Sequence, residues 1–298
     1  MFIYALLGIQ NEDFLNIDLT KGKDIRFFVD PFVIANCTSP IGMQIRTKLF
    51  EYFNHIMDLL SEDSFVATDL GPLSEVKEAK LGYGTHHGAG CKDLALDLYN
   101  QIRNSQSRQS GLLTDLLDIN IFVRNIGSDR TSDWMLNIVF NLLQTYTRDK
   151  LSHYAYPFEF RNVKKEFYND ETNVWSKEFY SLPFFEDVPF ILVPKSIASY
   201  NGIVVKGIND FVDHGILTYV IDHIQLFDEL QDLIKTYKSG TRKGQPRPIT
   251  KKDIREYFNL HGRNLSNFSN ILWLNERIPG LIDAAKVVYY RFRMNSTT

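Results

Sequence analysis

Cysteine is nearly absent: two residues, Cys37 and Cys91, serve 298 positions. Two thiols are too few for a disulfide framework or a four-cysteine zinc centre, so a reducing compartment is expected. Long apolar runs are missing as well. The apolar stretch over residues 1–9 is too short to cross a bilayer, lacks the positive leader of a signal peptide, and reads as a first strand. Neither sign of charge dominates, since 33 Lys and Arg face 36 Asp and Glu for a net −3. Residues 1–150 carry 14 Lys and Arg against 19 Asp and Glu, which leaves a slight positive excess for the rest. A phosphate-binding face must therefore be a local patch rather than a global field. No internal repeat or heptad run occurs.

What is present is core-forming material. Apolar residues make up 44% of the chain, with 22 Phe and 15 Tyr, and charged residues 23%, within the range of ordinary globular proteins. A soluble, cytoplasmic protein is expected. At roughly 150 residues per domain the length suggests two domains. The pattern places an α/β catalytic or ligand-binding domain over 1–155. An aromatic-rich α+β domain binding a partner or nucleic acid follows over 156–298, so the fold class is α/β or mixed α+β.

Several segments have a readable local structure. Residues 24–30 form a strand that ends on Asp30, with Pro31 blocking further ladder donation. Ile41, Ile45, Leu49, Phe53, Ile56 and Leu60 recur at helical spacing behind a Ser39-Pro40 start. Residues 65–81, broken by Gly71-Pro72, fit a short strand or a turn of helix. The glycine-rich loop 82–90 leads into a helix over about 91–103, and residues 125–129 open another through about Tyr146. Residues 188–194, flanked by prolines, suit a short bounded strand. A long amphipathic segment runs over 208–237, and a last helical region has Thr250 as its cap and Asp253 at its third position.

Four constellations carry candidate chemistry. The helix starts at Gly88-Ala-Gly90 and 127–133 offer backbone N–H groups to an anion, with Lys92 or Arg130 supplying charge. A plain turn or cap explains the same residues. Asp129, Asp133 and Asn137, four apart, share one helical face, which suits either a divalent cation or simple solvation, and Asn137 needs a polar partner among its apolar neighbours. Asp30 or Asp69 with Glu75-Val-Lys77 matches the minimal pattern of a metal-dependent PD-(D/E)XK nuclease. In such a site Asp30, Asp69 and Glu75 would hold Mg²⁺ and Lys77 would steady the developing charge. Surface charge is the more frequent origin of so short a pattern. Finally, Lys238, Arg242, Lys243 and Arg247 belong to a basic, acid-free run suited to tracking a phosphate backbone, or to a solvated loop. One of His86 and His87 would serve as base or ligand, whereas His55 reads as a core or boundary residue.

Phe28-Val-Asp-Pro-Phe32, Leu81-Gly-Tyr with Gly88-Ala-Gly90, residues 127–133 with Asn137, and Ile191-Leu-Val-Pro-Lys195 together resemble a bacterial protein family associated with anti-phage defence loci. The resemblance carries no established reaction. It implies a cytoplasmic protein directed at nucleic acid or a phage-derived ligand. A protein partner encoded nearby and no membrane association are expected as well. The expected function is a defence effector cleaving nucleic acid with Mg²⁺. The rival is a non-catalytic sensor or adaptor that binds a nucleotide or phage ligand and a partner protein.

Overall fold

The computed structural model describes residues 1–83, 94–104, 113, 116–123, 126–227, 230–231 and 249–297. His86, His87, Gly88, Gly90, Lys92, Lys238, Arg242, Lys243 and Arg247 lie outside the described residues. Two compact units divide the chain: residues 1–105, 114–119 and 123–204 form the first, and 106–113, 120–122 and 205–298 the second. The 155/156 division drawn from the sequence falls inside the first unit. The protein is mixed α+β, with two small antiparallel sheets among its described residues, both in the first unit.

The chain does not begin with a strand. Residues Ile3–Leu7 form helix α1, closed by Gly8 in the left-handed conformation at φ 69°. A short apolar run has no periodicity with which to tell a buried helix from a strand, and here Ile3 N–H is bonded to Ile17 rather than to a strand ladder. Strand β1 (Phe27–Val29) pairs antiparallel with β5 (Ala198–Tyr200), with Phe28 opposite Ser199. Asp30 then caps helix α2 (Pro31–Ala35), its carboxylate accepting from the amides of Phe32 and Val33.

Helix α3 (Pro40–Ser61) matches the periodicity and the start expected of it: Ser39 accepts from Gly42 N–H, and Ile45, Leu49, Phe53, Ile56 and Leu60 are buried. Residues 65–81 contain 3-10 turns at Ala67–Leu70 and Lys77–Ala79. Helix α4 (Leu94–Arg103) and helix α5 (Leu116–Phe122) precede the long α6 (Ser128–Leu151). Trp134 of α6 is buried and meets Tyr52 of α3 edge-on, with ring centroids 6.0 Å apart.

Strands β2 (Glu159–Asn169), β3 (Val174–Phe185) and β4 (Val188–Pro189) form the second sheet. Tyr168 and Trp175 of its hairpin meet Tyr52 edge-on, with ring centroids at 4.8 and 6.2 Å. The strand expected over 188–194 stops at Pro189. Beyond it, Ile191 and Leu192 are buried, and their N–H groups donate to Glu78 O and Thr147 Oγ1 instead of a ladder.

The second unit is helical among its described residues. The amphipathic segment from Ile208 is broken into α7 (Ile208–Phe211), a π turn (Val212–Ile216) and α8 (Leu217–Asp222). Gly215 within the π turn lies so close to α11 (Leu281–Thr297) that a Cβ would stand 2.8 Å from Ala285 O. Helix α9 (Lys251–Leu260) carries the expected start, with Thr250 and Asp253 each accepting the other's backbone N–H. Helix α10 (Phe268–Arg277) follows, capped by Asn267. Among the described residues no helix is long and apolar enough to cross a membrane.

Candidate functional site

The candidate site gathers where the first turns of α6 meet residues 74–83. Gly127 starts α6 without a side-chain cap. Ser128 and Ser132, rather than capping the helix, accept from Ile203 N–H at 3.1 Å and Val29 N–H at 2.9 Å. They hold the β1–β5 region against the helix. Gly202 allows this approach: its φ is 124°, and a Cβ there would stand 3.1 Å from Ser128 Oγ.

The row of Asp129, Asp133 and Asn137 faces residues 74–83. Asp133 Oδ1 accepts from Val76 N–H at 3.2 Å, and Asn137 Nδ2 donates to Ser74 O and to Asp133 O, both at 2.8 Å. Asn137 thus has the partner its apolar neighbours required. Asp129 accepts from the backbone of Tyr83. Its Oδ1 would lie 3.0 Å from a Cβ at Gly82, whose φ of 136° suits glycine.

Three carboxylates here have their proton affinity raised, and Glu75 contributes to the rise in each. Burial pushes Asp133 up from 3.8 to about 7, with Asp129, Glu75 and Asp24 adding to it and the Val76 amide opposing. Asp129 and Asp24 are also raised, each by burial first and then by Glu75. Like charges at close range disfavour joint ionisation, and so does low dielectric. Lys77 and Lys80 offset part of this charge at Asp24. Lys80 is only 5% exposed and sits at φ 56°, and burial lowers its pKa against the pull of Asp24, Glu78, Asp18 and Glu75. Glu78 itself pairs with Lys165 at 2.7 Å.

Of the residues expected from the sequence, Glu75, Lys77, Asp129, Asp133 and Asn137 belong to this neighbourhood, with Arg130 exposed on the same turn of α6. Asp30 and Asp69 have other work. Asp30 is 0% exposed, and its carboxylate is taken up by Phe32, Val33 and Val204 N–H, the last at 2.6 Å, and by Ser199. Asp69 turns its carboxylate back to Val66 N–H at 2.7 Å, and its carbonyl accepts from Tyr52 and Trp175, both at 3.0 Å. Among the described residues no three His, Cys, Asp or Glu side chains close on one point as metal ligands. Asp24 and Lys80 are the members that sequence reasoning missed. Lys80, flanked by Ala79 and Leu81 at the end of a charged segment, carried the available signal.

Fold and site together define a mixed α+β protein whose first unit assembles a partly buried carboxylate cluster, with two lysines beside it, at the start of the longest described helix. The chain belongs to DUF8370, a family described as a domain of unknown function, whose match spans residues 7–205. That match ends one residue past the first unit. No curated protein and no solved structure matches the chain.

Proposed function

We propose that the first unit is a Mg²⁺-dependent phosphodiesterase acting on nucleic acid, in a cytoplasmic anti-phage effector that works with a protein partner. The observation that carries this reading is the gathering of Asp133 with Asp129, Glu75 and Asp24 where Val76 N–H meets the Asp133 carboxylate, a setting that pushes Asp133 up to about 7. A group of that proton affinity suits general acid–base work at cellular pH. Charge crowding of this kind is relieved by a hard divalent ion, which takes carboxylate oxygens. Glu75 is an exposed side chain, free to swing onto an ion beside Asp129. The ion would polarise a phosphoryl oxygen, and Lys77 would meet the charge that develops on it.

The test is cleavage of single- and double-stranded DNA and RNA by the purified chain, with Mg²⁺, with Mn²⁺ and with EDTA. Metal-dependent cleavage that Asp133→Asn abolishes is expected. If no substrate is cut and neither ion shifts the pH dependence of stability, the reading fails.

One observation favours the sensor or adaptor instead. Phe160 and Phe179 lie on the same face of the β2–β3 hairpin by register and are 40% and 69% exposed, as a partner-docking surface would be. Partner binding lost in Phe179→Ser, in a protein without cleavage activity, would select this alternative.

A further inference from the structure

A cavity of about 360 Å³ opens elsewhere in the first unit, between the first turn of α3, Tyr146 of α6, Asp13, Lys195 and Ser196. A second lobe of about 230 Å³ continues from it along α6, and Ile41 and Tyr146 belong to both walls. The first lobe is at the small end of the range of about 300–1,000 Å³ occupied by ligand sites. Its surroundings are held in place. Tyr146 OH donates to Asp13 at 2.9 Å, and Lys150 pairs with the same carboxylate at 2.8 Å, so the negative charge of Asp13 is answered within the protein.

Lys195, from the Ile191-Leu-Val-Pro-Lys195 segment, is the cation at the rim. Its backbone N–H is bonded to Asp13 O at 2.7 Å, and its ammonium donates to Asn11 Oδ1 at 2.6 Å and lies over the Tyr4 ring. Among the described residues no carboxylate pairs with it, so its charge is positioned yet uncompensated. Ser39 and Ser196, also in the wall, touch through their hydroxyls at 2.8 Å. Ser39 Oγ accepts from Gly42 N–H at 3.1 Å. Either hydroxyl can donate across the contact of Ser39 with Ser196, and Cys37 Sγ lies 3.2 Å from Ser39 Oγ; in the arrangement where Ser39 donates to Ser196, the Ser196 proton remains for a ligand oxygen. The positive end of the 22-residue α3 points the same way. Pro40, Ile41 and Leu142 make the remainder apolar, and Asp149 at the far lobe disfavours an anion there.

We propose that this cavity binds a small phosphate monoester with a ring-sized apolar body, the phosphate on Lys195 and Ser196 and the body against Ile41 and Tyr146. The site is independent of the carboxylate cluster, and its ligand need not be a substrate.

Phenyl phosphate is the probe, with inorganic phosphate and phenol as its halves, titrated calorimetrically into the full chain. Phenyl phosphate should bind saturably, at least about tenfold tighter than either half, because both ends of the cavity contribute. Lys195→Met should weaken it about tenfold or more, the loss of one charge-assisted hydrogen bond. Ile41→Trp should abolish binding by filling the shared wall, and Thr145→Trp, at an exposed position of α6, should do the same should the first variant misfold. Absence of saturable binding up to millimolar phenyl phosphate overturns the proposal, as does unchanged affinity in Lys195→Met or in the folded Trp variant. A cleavage assay has no bearing on either result.

Discussion

Val76 donates its backbone N–H to Asp133 Oδ1 across 3.2 Å, which ties the segment bearing Glu75 and Lys77 to the second turn of α6. This one bond turns two separate sequence patterns, the Glu-Val-Lys tripeptide and the acids spaced by four, into neighbours. It also opposes the upward push on Asp133 without cancelling it.

The pH dependence of stability should expose Asp133. Its folded pKa of about 7 stands above the ordinary 3.8, so between those values the folded state holds a proton that the unfolded state has lost. Stability contributed by this group is complete below about pH 4 and declines as pH rises toward 7. Denaturant melts across that window should show the decline in the wild type and a flatter profile in Asp133→Asn.

Glu75→Gln and Lys77→Met separate chemistry from folding. Both side chains are exposed, so stability should move by no more than about 0.5 kcal/mol. Metal-dependent cleavage should fall about 10²–10³-fold in each. Two folded, fully active variants would reduce Glu75 and Lys77 to surface charge.

Asp30→Ala should damage the fold rather than a reaction. The substitution strands the amides of Phe32, Val33 and Val204 in a buried setting and removes the α2 cap. A loss of at least about 2 kcal/mol in urea unfolding is expected. A stable, inactive Asp30→Ala protein would instead restore Asp30 as a ligand.

Gly71→Ala tests the aromatic anchor of the hairpin. A Cβ there would stand 2.1 Å from the Trp175 ring, at a φ of 66°. Destabilisation of about 1–3 kcal/mol should follow, with a changed tryptophan fluorescence spectrum. Neither strain nor overlap is present if the thermal midpoint holds.

Local rules made much of the fold legible. The α3 periodicity behind Ser39-Pro40, the helix opening after Gly127, and the reciprocal caps of Thr250 and Asp253 depend on residues within a few positions of one another. The same rules marked Asp129, Asp133 and Asn137 as one face and Asn137 as a side chain in need of a partner. They failed where an apolar run was too short to show a period, as in α1 and beyond β4.

The amino-acid sequence by itself determined which segments become the long helices and which polar residues share a face, because period and capping act within a turn or two. Tertiary structure alone decided that Asp24 and Lys80 join Glu75, Asp129 and Asp133, and that Asp30 serves as a buried pin. Those outcomes depend on contacts such as Val76 with Asp133 and Val204 with Asp30, made between residues far apart in the chain. A carboxylate's role follows from which amides and charges surround it in three dimensions, and no spacing in the sequence encodes that surrounding.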